Sequence, residues 1–435
     1  MGLALAFVAL PLYVLLPNHY ATQFGVPLST LGAILLTTRL ADALIDPLLG
    51  RWIDHLYDTS LRAVLRAVWV ACVLMALGFA ALFFPPLPSM LLVSTVVLLM
   101  VTYACFSLVT VALQTWGAML GGGPLVQSRL VAWREGLGLL GVVLASVVPG
   151  VLGLGAMVSV FVAALIAGYL AWCVAPRPSL KSLPANHTAD AGGAQEAKDA
   201  KDAKDAQRLS AFDENGKPSQ NIGIKALLLP FSERPFVSLL LVFVINGMAS
   251  AIPATLMLFF VQDKLQAAAG METVFLGTFF LCAAASMPLW LQVVRRIGLA
   301  RAWLWGMCLS TAVFVTASFL GAGDSWAFVL ICVFSGLAMG ADLALPGALL
   351  AGVLAQSTRL AHAQATCWGW WNFATKLNLA LAAGVALPVL GALGYVPGER
   401  SPQALLALTL AYCVLPCVLK LIASAALYGA WVRGR

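Results

Sequence analysis

Only one residue in ten of this 435-residue chain is charged, while 61% are hydrophobic and the mean hydropathy is +0.94. That scarcity excludes a soluble globule, because too little polar surface remains to coat one of this length. Acids are scarcer than bases, 18 against 25, for a formal charge of +7. A nucleic-acid partner would need the excess gathered on the basic face of a soluble module, and the chain offers none. The first apolar run has no basic segment ahead of it and no small-residue cleavage motif behind it, so it is expected to stay as a span. It also has no acid between Leu3 and Leu16. Nine cysteines fall in apolar runs without metal-ligand spacing and are expected as buried free thiols.

What fills the chain instead is a series of apolar stretches, each long enough for a bilayer core of about 30 Å. Twelve are expected, near 2–17, 29–50, 63–84, 89–119, 130–153, 155–175, 235–261, 271–293, 302–322, 325–356, 366–394 and 402–428. The basic residues agree with this division. With Met1 inside, 20 of the 25 fall on the inner side, only Lys264 and Arg400 lie in outer loops, and Arg39, Lys376 and Lys420 lie within helices. Lysine and arginine concentrate on the cytoplasmic side, so both termini are expected there. Residues 176–234 form a cytoplasmic linker, rich in Ala, Asp, Lys and Ser and carrying Lys-Asp-Ala three times over at 198–206. Its low hydrophobicity predicts a largely disordered segment. Lobes of six helices at 1–175 and 235–435 flank it, the arrangement of a two-lobed transporter with its site near mid-membrane.

Charge inside a span is costly, and it persists where it faces a cavity, pairs or carries ions. Arg39, Asp42 and Asp46 stand at i, i+3 and i+7, on one narrow face of helix two, with Pro47 directly after. Carboxylates one turn apart resist double ionisation, leaving a group able to take a proton or exchange it for sodium.

The motif Arg39-x-x-Asp42-Ala-x-x-Asp46-Pro-x-x-Gly50 with Asp54 resembles the glycoside-pentoside-hexuronide cation symporter family of the major facilitator superfamily. Supporting matches are Pro11-Leu-Tyr-Val, Pro17 and Tyr20, Gln114-Thr-Trp-Gly, Arg129-x-x-x-x-Arg134-Glu135, Asn246-Gly-x-Ala-x-x-Ile-Pro253, Gly340-Ala-Asp342-Leu-Ala-Leu-Pro346, and Lys376 ahead of Gly394-Tyr395. The resemblance implies an all-α integral membrane protein of the major facilitator fold, with twelve transmembrane helices in two six-helix lobes. It implies that Asp42 and Asp46 bind the coupling cation, with Thr110 near them, and that Lys376 reaches them across the lobe interface. Arg39, Asp42, Gln114, Trp116, Arg134 and Lys376 are the expected substrate contacts. Asp54 and Arg62 match the superfamily's gate motif, and Asp342 is expected to gate from the second lobe or, alternatively, to be a packing hydrogen bonder near Pro346.

Sodium-using relatives tend to carry further acids in helices one and four, where this chain has none, and fewer anionic oxygens favour a proton as coupling ion. Two carboxylates with hydroxyls such as Thr37 or Thr110 can still hold Na⁺. Each residue has a plainer alternative. The two aspartates can be interhelical glue, Lys376 can snorkel to the cytoplasm, and Asp54 and Arg62 can be topology decoration. Trp116 can be core packing, and Arg134 with Glu135 a charge pair at the inner mouth. Trp368, Trp370 and Trp371 read as an interfacial belt. The expected function is cation-coupled transport of a sugar, glycoside or uronic acid, by a monomer in a bacterial-type inner membrane among lipids, with no cofactor and no enzymatic activity. The alternative is transport or export of a non-sugar solute, such as an amphipathic molecule or lipid. A lipid-linked transferase would need reactive groups on long outer loops, and a signalling anchor would need a foldable linker.

Overall fold

The computed structural model describes residues 1–85, 90–178, 225–268, 270–393, 395, 398 and 400–433. The Lys-Asp-Ala repeat and most of the expected linker lie outside the described residues. The spans are α1 (residues 2–24), α2 (Leu28–Thr59), α3 (Leu61–Phe83), α4 (Leu91–Met119), α5 and α6 (together Pro124–Val174), α7 (Arg234–Lys264), α8 (Met271–Ile297), α9 (Leu299–Phe319), α10 (Ser325–Gln356), α11 (Gln364–Ala392) and α12 (Pro402–Val432). Among the described residues these make twelve helices, in the two-lobed arrangement that the resemblance implies. Eight described helical stretches, α5 and α6 together counting as one, are long and apolar enough to cross a membrane by composition alone. α2 is not among them, because its charged face lowers its hydropathy.

Local chemistry accounts for the irregular points. α1 widens into a π-turn at Pro11–Leu15, with Pro17 one turn on, where prolines remove backbone donors. α5 and α6 form one apolar stretch that reverses at Gly153, whose φ of 84° favours a residue without Cβ. Gly141 before the reversal and Gly168 after it both abut the start of α1, at Leu3 and Met1, so α5 and α6 run antiparallel against it.

The buried apolar core runs from lobe to lobe, joining Phe7, Phe79 and Phe161 of the first to Trp303, Leu345 and Trp368 of the second. A separate core around Phe260, Phe328 and Tyr412 fills the outer half of the second lobe. Within the expected linker, residues 225–232 are helical, and the Leu227 carbonyl accepts a 2.9 Å bond from the Trp370 indole while Phe231 packs edge-on to the same ring. The apolar run from Ala226 to Leu229 explains why this end of the linker docks rather than extending.

Candidate functional site

α2 and α11 carry the closest seam between the lobes. Gly50 lies against the backbone of Ala365 and Thr366, and Gly369 lies against the backbone of Asp46 and Pro47. Small residues allow helix backbones to approach this closely. α2 continues as helix through Pro47.

Where the two helices meet, the Lys376 ammonium lies 2.6 Å from Asp42 Oδ2 and 2.9 and 2.8 Å from the two oxygens of Asp46. Both aspartates are buried, Asp46 completely. Ser107 on α4 closes the cluster: its hydroxyl donates to Asp42 Oδ1 at 2.9 Å and accepts from Lys376 at 2.8 Å. Lysine therefore turns inward here rather than snorkelling. It satisfies acids that would be very costly to bury unpaired. Seven residues along α4, Gln114 exchanges two hydrogen bonds of 3.2 and 2.9 Å with Asn372 on α11.

Towards the cytoplasm, buried Asp54 accepts hydrogen bonds from Ala365 N–H (2.7 Å), Thr366 N–H (2.8 Å) and the Thr366 hydroxyl (2.5 Å). The first turn of a helix leaves backbone N–H groups unpaired and positive. A carboxylate of the first lobe thus caps a helix of the second. Asp58 and His362 add an exposed pair at 3.0 Å.

The remaining expected site residues lie elsewhere. Arg39 is half-buried on the face of Asp42, one turn nearer the outside. Thr110 donates to the Phe106 carbonyl of its own helix at 2.8 Å. Arg62 is exposed at the start of α3 and makes none of the gate's bonds given above. Trp116 is buried and donates to the Pro176 carbonyl at 3.0 Å, edge-on to Trp172. It lies nine residues, about 13 Å of helix, from Ser107, and shares with Gln114 and Arg134 a cavity of about 330 Å³ beside Met1. Arg134 pairs with its neighbour Glu135 at 2.7 Å. The expected substrate contacts thus divide into a central acid–lysine cluster, an inner cavity, and Arg39 on the outer side of the cluster.

Asp342, the other expected gating residue, lies inside the second lobe. It takes bonds from Lys420 (2.7 Å), Asn246 (3.1 Å) and Trp303 (2.8 Å), all within the second lobe, so among the described residues it bridges no lobe interface. The tryptophan belt is corrected. Trp368 and Trp371 are buried, with Trp371 stacked on Phe243 at 3.8 Å. Sequence reasoning missed Ser107, whose only signal was its spacing of i+3 and i+7 to Thr110 and Gln114. It also missed Asn372 and the role of Lys420.

The family model for MFS/sugar transport protein matches residues 1–178 and 203–429. The chain belongs to this family. Membership of the major facilitator superfamily makes it a multi-pass membrane transporter rather than an enzyme. Among curated proteins no sequence matches it. The fold is similar to that of the E. coli fucose:proton symporter FucP, with TM-score 0.63, 15% identity, and 97% of this chain and 96% of that chain covered. A bacterial homologue of the iron transporter ferroportin in the outward-facing state gives TM-score 0.66 and 16% identity over 98% and 97% of the two chains. The proton:xylose symporter XylE bound to 6-bromo-6-deoxy-D-glucose gives 0.65 and 12% over 99% and 93%. At these identities the likeness carries the fold alone.

Proposed function

We propose that this transporter is a proton-coupled symporter of a sugar, glycoside or uronic acid, working by alternating access as a monomer in a bacterial-type cytoplasmic membrane. The observation that carries the reading is Lys376 of one lobe held by Asp42 and Asp46 of the other. Two carboxylates and one ammonium leave a net negative charge, which a proton can balance without needing space. The ammonium lies within 2.9 Å of three carboxylate oxygens, where a sodium ion would coordinate. Protonating one aspartate releases part of its hold on Lys376, and the freed donors can then take substrate oxygens. Ion and substrate are coupled through one side chain that cannot serve both sets of partners at full strength.

The cap of Asp54 on α11 supports an outward-facing resting state, in which the inner gate opens when these bonds are given up to water. Gln114, Trp116 and Arg134 then line the inner stretch of the path, and Arg39 the outer approach.

The test uses proteoliposomes loaded with a pH-sensitive dye and a panel of glycosides, pentoses and uronic acids, with and without sodium, for wild type and Asp46→Asn. Substrate-dependent acidification that needs no sodium and disappears in the variant supports the reading. If folded wild-type protein moves no protons with any sugar, the reading fails, and transport or export of amphipathic solutes takes its place.

A further inference from the structure

The second lobe holds a cavity of about 230 Å³ formed by α7, α8, α9, α10 and α12, and among the described residues none from α11 or from the first lobe lines it. Its walls include Phe275, Phe279, Phe314, Phe328 and Tyr412. Ala254, Leu276 and Phe280 line it and are exposed, marking its mouth. Asp342 and Lys420, paired at 2.7 Å with 6% and 7% side-chain exposure, also line it. An apolar cavity with a few convergent polar groups is the common form of a small-molecule site.

The polar groups of this cavity are incompletely used. The Lys420 ammonium has three donors, yet its bonds are one of 2.7 Å to Asp342 and one of 3.4 Å to Ser250. The hydroxyl of Ser335, another lining residue, is buried without a partner. A buried ion pair is offset against its desolvation only when further hydrogen bonds satisfy its remaining valences. The pair is neutral as a whole, so a charged ligand would bring an unbalanced charge to bilayer depth, whereas a neutral head brings none. A hydroxyl can accept from Lys420 and donate to an oxygen at the same end. Aromatic walls favour a flat aromatic body over an aliphatic one, through offset and edge-on contacts.

We propose that this cavity is a ligand site separate from the inter-lobe cluster, and that it takes a neutral aromatic amphiphile whose hydroxyl head meets Lys420 and Asp342. The occupant travels with the second lobe through the rocking motion, because every described lining residue belongs to that lobe. It therefore acts on the transporter as a modulator rather than as cargo.

Two cysteines, Cys332 and Cys417, line the cavity and make its occupancy measurable. The full-length protein in nanodiscs is reacted with methyl methanethiosulfonate, and each thiol is followed by peptide mass spectrometry, with 1-naphthol as probe. In wild type both cavity thiols react faster than the buried Cys72 and Cys367. Saturating 1-naphthol slows both at least fivefold and leaves the exposed Cys173 and Cys308 unchanged. Naphthalene, which lacks the head, requires about ten times the concentration. Ala254→Trp fills the mouth and removes the protection. The double variant Asp342→Asn with Lys420→Met keeps the thiols reactive and makes naphthol no better than naphthalene. The proposal is overturned if the cavity thiols react no faster than Cys72 and Cys367. It is also overturned if naphthol and naphthalene protect equally in wild type, or if protection in Ala254→Trp equals that of wild type, since each outcome assigns the effect to lipid partitioning. Should the double variant fail to fold, the comparison of the two probes in wild type and the Ala254→Trp variant decide the matter.

Discussion

Replacing Asp54 by asparagine should open the cytoplasmic side. The carboxylate receives three hydrogen bonds of 2.5–2.8 Å from the first turn of a helix in the opposite lobe, two of them from backbone N–H groups. Asparagine keeps one acceptor and presents an amide that faces the Thr366 donors, so about two bonds are lost. Hydrogen bonds to a charged group contribute about 1.5–3 kcal/mol each, net of the water that replaces them. Taking the lower end, the closed state loses about 3 kcal/mol, a shift of about a hundredfold in the open-to-closed ratio. Cys367, fully buried beside this cap, reports the change. In inside-out vesicles treated with a membrane-impermeant maleimide, Cys367 should be labelled about a hundred times faster in Asp54→Asn than in wild type, up to the ceiling set by a fully open gate. A rate within twofold of wild type, in a variant with unchanged thermal unfolding, would refute the cap as a gate.

Ser107→Ala removes one bond to Asp42 and one from Lys376, both with charged groups, about 1.5 kcal/mol each at the lower end. Substrate-driven proton uptake at half-saturating substrate should fall by more than about tenfold, while the unfolding temperature moves little, as dye-loaded liposomes and a thermal melt will show. A methyl at Gly369 would meet Pro47 Cα at 2.9 Å and the Asp46 carbonyl carbon at 3.0 Å, and helix backbone cannot yield as a side chain can. Gly369→Ala is therefore expected to part the seam, raising Cys367 labelling and lowering uptake together, and wild-type values for both would count against the close packing. In the second lobe, Lys420→Met strands the buried Asp342 charge and should cost about 3–5 kcal/mol. Pairing it with Asp342→Asn should recover most of that loss in a double-mutant cycle followed by thermal unfolding, and additive losses would show that the pair does not act as a unit.

The sequence alone determined the membrane setting and the number of spans, because these follow from hydropathy, which is a local property. It also determined that Asp42 and Asp46 share a face, since helical spacing requires only the position numbers. Only the tertiary structure decided which partners those faces meet. Asp54 and Arg62 sit eight residues apart in one motif, yet the first is buried under α11 and the second is exposed, a difference that depends on where another lobe's helix begins. Trp368 and Trp371 had the sequence signature of an interfacial belt, but the lobes close over them, and residue type cannot register that burial. Asp342 and Lys420 are 78 residues apart in sequence and meet at 2.7 Å. Ser107, one hydroxyl in an apolar helix, gains its place between Asp42 and Lys376 only when α2, α4 and α11 pack together. Periodicity fixes what a helix presents, and packing across helices fixes what that face touches.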